Sequence, residues 1–81
     1  MTKAELLEIA SKYQMQPCVN NTVENIQEGF FLNSHVCIRE LDDLAEHYRK
    51  SGPDPVYVEA MYEDGGQLGC CYKIYAPRNW F

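Results

Sequence analysis

A chain of 81 residues with 12 acidic and 7 basic side chains, formal net charge -5, has room for one domain and one small core. That length excludes a two-domain enzyme with a cleft between lobes. At 46% hydrophobic and 23% charged, the composition is that of a folded domain and not of a disordered tail.

The first element reads as a helix over about residues 3–14. Thr2 and Glu5 make a capping pair, and Leu6, Ile9, Ala10 and Tyr13 fall on one face. Pro17 is the expected stop, because a residue before proline is pushed out of the helical region.

Residues 16–34 admit two readings. Asn20-Asn21 signals a turn or cap, and Asn21 with Glu24 repeats the capping pattern ahead of Val23, Ile26 and Phe30. That favours a short helix over 22–32, which is the reading adopted. Against it, Ile26, Glu28, Phe30 and Leu32 share one face of a strand, and Gly29 weakens a helix by roughly 1 kcal/mol.

A clearer helix is expected over about 35–51. Ser34 is a good cap, and Leu41, Leu44, Ala45 and Tyr48 form the apolar stripe. Glu40, Asp42, Asp43 and Glu46 load its front, and Arg49 and Lys50 its rear, in the order that suits the helix dipole. Gly52-Pro53 is the stop signal.

The last third reads as a hairpin, 55–63 and 67–76, around a three-residue loop of Asp64, Gly65 and Gly66. Glu63 is then opposite Gln67, Tyr62 opposite Leu68, Ala60 opposite Cys70, Val58 opposite Tyr72 and Val56 opposite Ile74. That pairing gives one wholly apolar face. A two-residue Gly65-Gly66 loop puts Met61 opposite Cys70 and mixes the faces, because a one-residue slip turns every side chain over. Residues 77–81 form an aromatic tail. The expected fold class is α+β: two or three helices packed on one face of a C-terminal antiparallel β-hairpin, all in a single domain, 1–81.

The outer side of that hairpin carries Tyr57, Glu59, Met61 and Glu63 on one strand and Tyr75, Lys73, Cys71, Gly69 and Gln67 on the other. Two tyrosines, a methionine and a thiol are more apolar than a surface requires, and Tyr and Met are enriched at interface cores. Trp80 and Phe81 close the tail, either as a lid on the core or as anchors for a partner. The candidate partner-binding residues are therefore Tyr57, Met61, Tyr75, Lys73, Trp80 and Phe81.

Chemistry finds little purchase. No phosphate loop, Gly-x-Ser-x-Gly or Gly-x-Gly-x-x-Gly occurs. On a continuous helix Cys37 and His47 lie about 80° from alignment, so they make no nucleophile and base. The metal-ligand pool is Cys18, His35, Cys37, His47, Cys70 and Cys71. It contains no C-x-x-C, and a zinc-binding structural domain would need His35 and Cys37 joined by Cys18 or Cys70. We expect no enzyme, no cofactor and no metal.

No basic run followed by an apolar stretch opens the chain, and no apolar run nears the roughly 18 residues of a membrane span. The expectation is a cytoplasmic protein without a membrane partner, its four cysteines free thiols. Three helices then a hairpin is the element order of a winged helix. The acidic would-be recognition helix and the Glu63-Asp64 wing tip would repel phosphates, which argues against nucleic acid as a partner. Mimicry of nucleic acid is the mirror-image reading.

What remains is a small acidic interaction protein that docks on and modulates or inhibits a larger protein. By analogy of composition, such chains are often phage or mobile-element accessory proteins. A homodimer through open strand edges is a competing use of the same surface.

Overall fold

Helix α1 spans Lys3–Lys12 in the computed structural model, which describes residues 1–22 and 25–81, with the side chains at 19–22, 25–27 and 66 left aside. Thr2 caps it as the sequence requires: its hydroxyl oxygen accepts the Glu5 N–H at 3.2 Å. The helix ends before Pro17 has any influence. Gln14 adopts a left-handed φ of 53°, its N–H reaches Ser11 O, and the Met15 N–H reaches Ala10 O. These two bonds are a Schellman motif, which satisfies the last carbonyls locally.

Pro17 lies inside strand β1, Gln16–Thr22, which pairs antiparallel with β2, Asn25–Ser34. The expected helix over 22–32 is therefore replaced by a strand from Asn25 onward. Val23 and Glu24, on which the helical reading leaned, lie outside the described residues. The alternation Glu28, Phe30, Leu32 prevails because β2 has a strand partner on each side. Its second partner is strand β4, Gly69–Ala76, with Phe30 opposite Ile74 and Leu32 opposite Tyr72. Gly29 has a separate reason to be glycine: a Cβ there would sit 1.8 Å from Ile74 O.

Helix α2 is shorter than expected, Arg39–His47. Ser34 does not cap it. Its hydroxyl donates to Val36 O at 2.7 Å and accepts the Val36 N–H, forming a turn ahead of the helix. Ile38 takes the cap position, and its N–H is bound by the Tyr72 hydroxyl at 2.7 Å. At the far end the Tyr48 carbonyl accepts the Val58 N–H at 2.7 Å, so the chain leaves the helix well before Gly52. Arg49 and Lys50 consequently lie beyond the helix they were expected to terminate.

Strand β3, Tyr57–Glu63, pairs with β4 two places from the expected register. Glu63 faces Gly69, Tyr62 faces Cys70, Ala60 faces Tyr72 and Val58 faces Ile74. The loop thus runs from 64 to 68, opening on a 3₁₀ turn at Asp64–Gly66 in which Asp64 and Gly65 have φ of 51° and 66°. Leu68, expected opposite Tyr62, is in the loop and 70% exposed. An even slip leaves the faces unchanged, so the inward set survives the change of partners.

The sheet is four-stranded and antiparallel, in the order β1-β2-β4-β3. The fold is α+β, with two helices among the described residues. Both helices cover one face, where Leu6, Leu41, Val56, Tyr72 and Ile74 are fully buried and Ala10, Val58, Cys70 and Ala76 join them. Each large apolar side chain so buried contributes about 1.5–3 kcal/mol. The helices are also tied to each other at the surface by Lys12 Nζ and Glu40 Oε2, 2.8 Å apart, with the Tyr13 hydroxyl on the same carboxylate. None of the described helices is long and apolar enough to cross a membrane.

Candidate functional site

Strand order decides what is accessible. β3 is an edge strand, and its even-numbered residues direct their backbone groups away from β4, as the bond from Val58 N–H to Tyr48 O shows. Ala60 and Tyr62 follow at the strand period. Among the described residues their outward N–H groups make no backbone bond outside the ladder. The opposite edge, β1, carries Pro17, a residue that blunts strand addition. Within 57–63 there is no proline.

A groove of about 630 Å³ runs along that open edge. Asp42, Ala45 and Glu46, at the i, i+3, i+4 spacing of one face of α2, form one wall, extended by Arg49 just beyond the helix. The other wall is β3, through Tyr57, Glu59, Ala60 and Tyr62, and reaches Tyr75 on β4. Tyr57 and Tyr75 are cross-strand partners whose rings stack at 4.5 Å and 21°. The Tyr75 hydroxyl donates to Glu59 Oε2 at 3.1 Å, and Lys50 Nζ lies 5.8 Å from the centre of the Tyr57 ring. Burial, then the Glu59 carboxylate, pushes the Tyr75 phenol well above its ordinary range, and burial also raises Tyr57.

At the other end of the groove Asp42 collects two phenols. The Tyr72 hydroxyl donates to Asp42 Oδ1 at 3.0 Å, and the Tyr62 hydroxyl donates to the same oxygen. The Tyr62 phenol is pushed up to about 12, first by that hydrogen bond and then by burial. No cysteine, serine or histidine is among the described residues lining the groove. Its parts are a strand edge, stacked rings and side chains of both charges.

The six residues singled out from the sequence divide between the two faces of the sheet. Tyr57, Met61, Lys73 and Tyr75 lie on the face away from the helices, as expected. Met61 is 44% exposed, while Tyr75 is 7% exposed, its ring lying against Tyr57 and beside Gly29, where β2 has no side chain. Trp80 and Phe81 are elsewhere. A 3₁₀ turn at Arg78–Trp80 folds the tail back, Trp80 packs on the core, and the Phe81 ring meets Phe30 edge-on at 5.6 Å. The tail and the tyrosine face thus do not form one continuous patch.

Sequence reasoning missed Asp42, Glu46, Arg49 and Tyr62 as groove residues. Asp42 and Glu46 were legible as a second stripe beside the apolar one on α2, but nothing local says that β3 lies under it or that Arg49, beyond the helix, extends it.

Among the described residues no three His, Cys, Asp or Glu side chains are grouped to hold a metal ion. Cys37 meets Cys70, but neither Cys18 nor His35 joins them. The element order on which the winged-helix reading rested is also changed, since 25–34 is a strand paired within the sheet.

Fold and groove define a small α+β protein with a four-stranded antiparallel sheet, whose edge strand β3 borders the groove. No family model matches the chain, and no curated protein or solved structure matches it.

Proposed function

We propose that this is a non-enzymatic interaction protein that docks on a larger protein and modulates it by accepting an extended segment of that partner along β3. The observation that carries this reading is the open edge at Ala60 and Tyr62, bordered by the α2 groove. Main-chain bonds to such an edge supply affinity, and alternate side chains of the added strand enter the flanking surfaces for selectivity. One flank is the groove, and the other is the tyrosine face with Met61. The formal charge of -5 favours a partner surface rich in Lys and Arg and speeds its encounter.

Ala60→Pro tests the reading. Proline removes the outward N–H and crowds the edge, yet is tolerated on an edge strand. Affinity capture from the native host, followed by mass spectrometry, is expected to lose a partner with Ala60→Pro and with Tyr57→Ala that the parent retains. Both variants should keep the parent circular dichroism spectrum. An identical set of captured proteins from parent and folded variants overturns the proposal. Light scattering identifies the competing occupant: a dimer that Ala60→Pro dissociates would assign the edge to a second copy of the chain.

A further inference from the structure

The structure assigns Cys37 and Cys70 as a thiol pair that closes to an intramolecular disulfide by exchange with a low-molecular-weight disulfide. The two Sγ atoms lie 2.6 Å apart, although the residues are 33 positions apart in sequence. Local structure places them so. Cys70 is opposite Ser34 in the β2–β4 ladder and points to the helix side with Tyr72. Beyond Ser34 the Ser34–Val36 turn brings the chain back over β4, and the bond between Ile38 N–H and the Tyr72 hydroxyl pins the next residue. Cys37 is thus held from both sides, above Cys70. The other cysteines are not competitors. Cys71 points to the opposite face of β4, and Cys18 lies on β1 opposite Gly29, with β2 between it and β4.

Accessibility orders the steps. Cys37 is exposed and Cys70 is buried. The Cys37 thiol loses its proton, and the thiolate attacks one sulfur of the reagent. The reagent S–S bond breaks, half of it leaves as a thiolate, and Cys37 carries a mixed disulfide. Cys70, deprotonated in turn, attacks Cys37 Sγ and expels the second half. Two protein thiols have then been oxidised by two electrons, one reagent disulfide has been reduced to two thiols, and the two protons pass to the released thiolates. Contact with Cys70 raises the Cys37 thiol above its ordinary range, so the first step quickens as pH rises.

The test is equilibration of the folded protein with oxidised glutathione, blocking of remaining thiols with iodoacetamide, and peptide mass spectrometry. The expected product has two alkylated cysteines, Cys18 and Cys71, and a cross-linked Cys37–Cys70 peptide. Dithiothreitol should restore all four thiols. Closing this loop should raise the melting temperature by about 10 °C or more. Cys37→Ser, a change at an exposed position, should abolish both the cross-link and the rise. Four free thiols after oxidation, glutathione retained on Cys37, or a cross-link joining any other pair each overturns the assignment. The thiol count of the parent protein decides the matter even if the variant folds poorly.

Discussion

The Tyr72 hydroxyl joins the sheet to α2 twice, donating to Asp42 Oδ1 at 3.0 Å while it accepts the Ile38 N–H at 2.7 Å. The ring is fully buried, so both bonds lie at the boundary of the core. Ile38 holds the N-cap of α2 without a capping side chain, and a phenol from β4 makes a bond to its backbone.

Tyr72→Phe should therefore cost about 1–3 kcal/mol, the loss for a partly buried donor and a carboxylate that each forfeit a partner. Urea denaturation gives the value, and amide exchange should show the added opening concentrated at the start of α2. A variant as stable as the parent would mean that water replaces the hydroxyl without cost.

Asp42 also determines the titration of Tyr62. The bonded phenol is stabilised in its protonated form, which places its ionisation at about 12. A tyrosine raised in this way contributes stability that is complete below its unfolded value, about 10, and is lost as pH rises through the folded value. Carbon-13 tyrosine NMR should show Tyr62 titrating near 12 in the parent and closer to 10 in Asp42→Asn. The alkaline loss of stability should shift with it.

Gly29 separates packing from propensity. A Cβ at this position would meet the Ile74 carbonyl oxygen at 1.8 Å, a backbone atom that cannot rotate away. Gly29→Ala should cost about 2–3 kcal/mol by forcing β2 and β4 apart. A thermal melt measures the loss. If intrinsic strand preference governed the site, alanine would be neutral or stabilising.

Several features were legible from local pattern because they depend on neighbours in sequence. Thr2 caps α1, the 41-44-45-48 stripe makes a helix, and the alternation in 56–62 and 70–76 sorts side chains inward and outward. Where the pattern was silent, contacts distant in sequence decided. Alternation repeats every two residues, so it cannot distinguish a pairing from one shifted by two. The choice falls to Asp64 and Gly65, both left-handed, and to Gly69, where a Cβ would lie 2.7 Å from Ser34 O. The segment 25–34 scores as either helix or strand in isolation and becomes a strand because β1 and β4 satisfy its backbone on both sides.

Composition, charge and the inward and outward sorting of the hairpin were determined by the sequence itself, through the fixed period of side chains along a strand. Which strands lie at the edges, which helix face borders β3, and which sulfurs meet were decided only by the order β1-β2-β4-β3 and the packing around it. Those are relations between segments far apart in the chain, and backbone hydrogen bonding and burial select them together.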